Sequence, residues 1–354
     1  MLTSIRQRMG GKMAKISHAQ YLEMLMDPET PDEVIAAFST FAPDEGGAFD
    51  PVMVPDPDRV EMTEDQARAE NAMRIGNGLA RWRRSAAFER ALSGGDARPV
   101  LVAEGDSWFQ FPVFIKETIG HLGRDHLVSC LSAAGDTANN MVFGRAGRGR
   151  REYMRELDRR ADRVQAFLLS AAGNDIIGED EEAGDGTPVL RKILKNPRNG
   201  ATDPDAYIDA DELTRRIEFL HKAYRSVVAT IRHDQRFATL PVLVHGYDVP
   251  FPYPWGANDR RNPRWASRDR WLGSAFAPAG IEGDIRRAIL ARLIDRLYDM
   301  LDRVAAEFAH VHVVDCRGAL PRLEDWADEI HATSEGYALV ADRFRAQLRA
   351  AGIS

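Results

Sequence analysis

Cysteine is scarce: 354 residues contain Cys130 and Cys316 and no other thiol. Two cysteines cannot build a disulfide framework, and each sits near the end of an apolar, strand-like run, as a buried free thiol does. No Cys/His cluster has the spacing of a zinc site, so the sequence calls for no metal and no organic cofactor. Long apolar runs are also missing, which excludes a helix that spans a bilayer. Residues 1–15 are basic but lack the apolar core of a secretory signal, and a cytoplasmic protein is the expectation. Positive charge is not in excess either. The formal net charge of -7 gives no general reason to expect nucleic-acid binding.

What remains describes an ordinary globular chain, 44% hydrophobic and 29% charged, with material for one large domain and an appendage. Residues 1–96 read as a mainly helical N-terminal region. Ser17 to Gln20 fits a capping box, a short helix follows Pro31, and Thr63 to Gln66 opens a further helix through about Leu92. Between them, residues 41–62 are rich in Pro, Asp and Gly, as in an extended connector. No catalytic constellation appears in this region; it is either a module for a protein partner or structural padding.

Residues 97–354 alternate between strand-like and helix-like segments. Strands are expected at 100–103, 126–131, 165–171, 241–245 and 311–315, with helices at about 113–121, 151–162, 211–232, 282–309 and 335–350. This alternation predicts a central parallel sheet with helices on both faces. Two long insertions interrupt it, at about 178–210 and 248–281. The second is crowded with aromatics, Pro and Arg, which suits a lid or a local satellite core.

Open parallel sheets hold their ligands at the C-terminal ends of the strands. The first strand ends in Gly105-Asp106-Ser107-Trp108, the second leads to Gly135, and the third to Gly173-Asn174-Asp175. After the fifth comes Asp325-x-x-Asp328-x-x-His331. Acyl transfer needs these residue types: a serine hydroxyl, an imidazole to take its proton, and a carboxylate to orient the imidazole. It also needs donors for an oxyanion, which a close-approaching glycine N–H at Gly135 and the amide of Asn174 would supply. Each residue has a plainer reading as well. Gly135 could be a turn glycine, Asn174 a cap, and His331 a helix-start residue. His245, at the end of the fourth strand, is a rival base, and Asp325 a rival orienter.

Four blocks in this order resemble the SGNH (GDSL-type) serine hydrolase superfamily: Gly105-Asp106-Ser107, Gly135, Gly173-Asn174-Asp175 and Asp328-x-x-His331. The resemblance covers residues 99–354. It implies a flavodoxin-like three-layer α/β/α sandwich, Ser107 as nucleophile, His331 as base and Asp328 as its orienter. It also implies an oxyanion hole of the Ser107 N–H, the Gly135 N–H and the Asn174 side chain. One departure stands beside the nucleophile, where Trp108 replaces the leucine of the family pattern. Trp108, His245, Tyr253 and Trp255 are the candidate substrate-contacting residues. The substrate expected is a small-molecule or lipid ester or an acylated carbohydrate. An acyltransferase with the same acyl-serine, and a non-enzymatic interaction protein on a hydrolase fold, are the other readings that the residues leave open.

Overall fold

The computed structural model describes residues 15–41, 53–62, 77–111, 115–143, 151–178, 187–197, 200–261 and 272–354. The N-terminal region contains strand β1 (Ile16–Ser17), helix α1 (His18–Met26), helix α2 (Asp32–Ala36), and strands β2 (Ser39–Phe41), β3 (Met53–Pro55) and β4 (Val60–Glu61). Helix α3 (Asn77–Ser93) leads into the larger part of the chain. The capping box opens α1 as the sequence predicts: Ser17 and Gln20 exchange side-chain and backbone hydrogen bonds. The region is less purely helical than its composition suggests, because β1 pairs with β4 and β2 with β3 in two small ladders. Tyr21, Leu25, Ile35, Phe38, Met53 and Val60 form a core of their own there. Arg83 of α3 fastens it, donating to the carbonyl oxygens of Met24, Leu25 and Asp27 at the C-terminal end of α1. The expected capping box at Thr63 to Gln66 lies outside the described residues.

The large sheet has five parallel strands: β5 (Val100–Gly105), β6 (Leu127–Cys130), β7 (Val164–Ser170), β8 (Val242–His245) and β9 (Val311–Val314). Their spatial order is β6-β5-β7-β8-β9. Helices on both faces make it a three-layer α/β/α sandwich. The interior strand β5 is buried along its whole length, which is why residues 100–103 read as an apolar run rich in β-branched residues rather than as an alternating one. Chain direction across the sheet reverses between β6 and β7, so right-handed crossovers send the connecting helices to opposite faces. Helix α4 (Thr118–Leu122) packs against the C-terminal helix α12 (Ser334–Ala350) on one side. On the other, α9 (Ala210–His233) packs against α11 (Ile285–Glu307). Short helices α5 (Ala138–Phe143), α6 (Glu152–Arg159), α7 (Gly173–Ile177), α8 (Val189–Ile193) and α10 (Gly273–Phe276) fill the connections.

Element ends follow local chemistry. Asp209 caps α9 by accepting from the N–H groups of Asp211 and Glu212, and Thr333 caps α12 by accepting from Gly336. Helix α4 is shorter than expected, starting only at Thr118. Neither insertion is featureless. The first carries α8 and a bridge between Leu194 and Ile208, and the second carries α10. Trp265 and Trp271 of the second insertion lie outside the described residues. Among the described residues, no helix is long and apolar enough to cross a membrane.

Candidate active site

Reversal of strand order between β5 and β7 opens a crevice at their C-terminal ends, where ligands sit in open α/β sheets. Gly105 makes the turn out of β5 feasible. A Cβ there would stand 2.7 Å from both the Cβ and the carbonyl oxygen of Ser170, so only glycine lets the two strand ends lie this close. Asp106 then holds the turn. Its Oδ1 accepts from the Trp108 N–H at 3.0 Å and from the Ser170 hydroxyl at 2.8 Å. Its Oδ2 accepts from the Tyr247 hydroxyl.

Ser107, presented by that turn, has its Oγ 2.8 Å from Nε2 of His331. Nδ1 of the same ring lies 2.7 Å from Asp328 Oδ2. The Asp-x-x-His spacing is a local turn: Asp328 Oδ1 accepts the N–H groups of Ile330 and His331, both at 2.7 Å. A carboxylate so held keeps Nδ1 as the protonated ring nitrogen and leaves Nε2 as the acceptor. All three residues are buried, none more than 6% exposed. Asp325, the rival carboxylate, is occupied elsewhere, with its Oδ1 2.6 Å from Arg322 Nη2.

The second and third strand ends meet through Asn174, whose Nδ2 donates to the Asp136 carbonyl oxygen at 2.7 Å. Gly135 precedes that carbonyl and stands at φ 82°, a left-handed conformation that glycine adopts without strain. Ala172, just before Gly173, is held at φ 93° and Tyr247 at φ 68°. Such backbone persists in non-glycine residues only where the surroundings over-determine it. Asp175 is structural: its carboxylate accepts from the N–H groups of Ala138 and Asn139 at the start of α5, and burial raises its pKa to about 6.

The four candidate substrate-contacting residues fall in different places. Trp108 lines the same cavity as Ser107 and Asn174, with its indole N–H donated to Ile330 O. Tyr253 and Trp255 do not line that cavity. Tyr253 donates its N–H to Glu329 Oε1 at 2.7 Å, and Trp255 stacks edge-on against Phe251. His245 is fully buried beneath the site. Its Nε2 lies 2.8 Å from Ser170 Oγ, and since that hydroxyl donates to Asp106, the imidazole must be the donor to it. Nδ1 accepts weakly from the Tyr247 N–H at 3.4 Å.

Sequence reasoning overlooked this buried chain of His245, Ser170, Asp106 and Tyr247. Tyr247 is its crossing point, accepting from the Gly173 N–H at 2.9 Å while donating to Asp106. It thereby ties the nucleophile turn to the Asn174 turn. Glu329 and Arg261 were also overlooked. Glu329, buried and with its pKa raised to about 7 by that burial, accepts from the N–H groups of Tyr253 and Leu272. Arg261 donates to the carbonyl oxygens of Phe251 and Asp328. Together they clamp the second insertion onto the Asp328–His331 turn. The acidic residue between Asp328 and His331 was the available signal. Among the described residues, no three His, Cys, Asp or Glu side chains gather as they would around a metal ion.

Burial pushes the His245 pKa down to about 3, which sets a pH dependence of stability. Between its ordinary value near 6.5 and 3 the unfolded chain binds a proton that the folded one refuses, so stability falls as pH falls. Relative to His245→Gln, the natural chain is expected to lose about 3 kcal/mol between pH 6.5 and pH 4. Urea unfolding of both proteins across that range checks it. Parallel curves would show that His245 is charged in the fold.

No protein-family model matches the chain, and no curated protein matches its sequence. Solved structures similar to it include a protein from Streptococcus pneumonia provisionally assigned as a platelet activating factor. It is 9% identical, covering 81% of this chain and 100% of that one, with a TM-score of 0.40. An acetyl xylan esterase from the rumen bacterium Butyrivibrio proteoclasticus is 11% identical, covering 71% and 63%, with a TM-score of 0.40. An alpha/beta hydrolase from the metagenome of Lake Arreo, Spain, is 16% identical, covering 72% and 95%, with a TM-score of 0.37. At such identities, what this chain does rests on its own side chains.

Proposed function

We propose that the chain is a serine hydrolase of the SGNH type that cleaves carboxylic esters through an acyl-serine intermediate. The observation that carries this reading is the unbroken hydrogen-bonded row Ser107–His331–Asp328, facing a cavity that Asn174 also lines. Asp328 fixes the tautomer of His331, so that Nε2 can receive the Ser107 proton as Oγ attacks the ester carbonyl carbon. The carbonyl π electrons move onto oxygen, which becomes the oxyanion. Asn174 gives one N–H to the Asp136 carbonyl, which sets the plane of its amide, and its second N–H serves the oxyanion beside the N–H groups of Ser107 and Gly135. Collapse expels the alcohol, which takes the proton from Nε2. Water then repeats the sequence on the acyl-serine, with His331 as its base, and releases the acid. No metal or organic cofactor takes part.

Asn174→Ala is expected to lower kcat by about 10² to 10³ with little change in KM, because the amide acts where charge develops and not on the bound ester. Steady-state hydrolysis of p-nitrophenyl butyrate by the two proteins checks this. An equal rise in KM with kcat preserved would make Asn174 a binding group or a prop for the Asp136 turn. The reading itself is tested by p-nitrophenolate release from the natural chain, with a pre-steady-state burst where deacylation is the slow step. An added alcohol that captured most of the acyl group in place of water would move the assignment to acyl transfer.

A further inference from the structure

The cavity at Ser107 has an apolar interior whose walls come from two long helices. Leu213 and Ile217 of α9 face it one turn apart, and Leu290, Leu293 and Leu297 of α11 continue the wall as a stripe at helical spacing. Ser107 and Asn174 line the same cavity. The polar residues in its lining have their own partners. Asp248, for example, accepts from the N–H groups of Val249, Gly318 and Leu320. The Trp108 indole N–H is donated to Ile330 O, and the Tyr247 hydroxyl is shared between Asp106 and Gly173. Beyond Ser107 and Asn174, the wall therefore offers a guest hydrocarbon surface.

The cavity offers about 90 Å³. At roughly 30 Å³ per water-sized group, it holds about three groups the size of a methylene. Close-packed proteins leave few apolar hollows of this size, and its position at the nucleophile gives this one a use.

Resting on the ester-hydrolase reading, we infer that this cavity is an acyl-chain site, and that the substrates are esters of short-chain fatty acids with about three carbons beyond the carbonyl. The chain lies between α9 and α11 while its carbonyl carbon meets Ser107 Oγ, and the alcohol portion leaves on the opposite side. Acetyl groups leave the cavity unfilled. Chains of sixteen carbons overrun it.

The test is a chain-length series of p-nitrophenyl esters from acetate to palmitate. In the natural protein kcat/KM is expected to rise by about fourfold per added methylene, the worth of burying one, to a maximum at butyrate or valerate, and then to fall. Leu293→Trp fills the cavity from α11 and Ile217→Trp from α9. In whichever variants fold by circular dichroism, the butyrate-to-acetate ratio of kcat/KM should drop at least fivefold. A profile of the natural protein that declines from acetate onward would overturn the acyl-chain site and leave the ester-hydrolase reading standing. An unchanged ratio in a folded Trp variant would do the same. Failure of every ester, together with no reaction of Ser107 with a small fluorophosphonate, would overturn the hydrolase reading itself.

Discussion

Ser107→Ala is expected to lower kcat for a carboxylic ester by about 10⁴ to 10⁶ while leaving the protein folded. The size of the effect follows from the role: without Oγ there is no acyl-enzyme, and His331 and the oxyanion donors can only assist a direct attack by water. Retention of the fold follows from the contacts. The turn that presents Ser107 is held by the Asp106 carboxylate through Trp108, Ser170 and Tyr247, and the substitution touches none of these bonds. Thermal unfolding alongside the kinetics separates the two effects. A folded variant with full activity would remove Ser107 from the mechanism.

His331→Ala should be comparably severe, for a different reason. The serine remains, but its hydroxyl loses the acceptor at Nε2, and a neutral hydroxyl is a weak nucleophile. Asp328 would still accept the N–H groups of Ile330 and residue 331, so the turn keeps its anchor. The informative control is His245→Gln, which retains a donor for Ser170 and should leave kcat within about tenfold, because His245 lies beneath the site and bonds to Ser170, not Ser107. If the two variants exchanged these outcomes, the base would be His245 and the mechanism would need another nucleophile.

The five strands were legible because a parallel strand covered on both faces has to be a continuous apolar run, and each of 100–103, 126–131, 165–171, 241–245 and 311–315 overlaps a strand of the sheet. That Ser107, His331 and Asp328 come together was legible because they follow strands in residue types suited to one chemistry. The network under them was not. Asp106 meets Ser170 only because Gly105 is registered against Ser170 across the sheet, and a single sequence does not display that pairing. Tyr247 was hidden similarly, its role set by a backbone at φ 68°. Leu213, Ile217 and Leu293 carry the same signal as any buried helix face, so periodicity alone does not distinguish a cavity wall from a filled core. The small ladders of β1 to β4 are two or three residues long, too short for an alternating pattern to show.

Covalent labelling tests the central claim most directly. A small fluorophosphonate reacts with an activated serine hydroxyl, and digestion followed by mass spectrometry locates the adduct. The account predicts stoichiometric phosphonylation at Ser107 in the natural chain and none in His331→Ala. An adduct on another serine, such as Ser170 or Ser132, or no adduct in a folded protein, would contradict it.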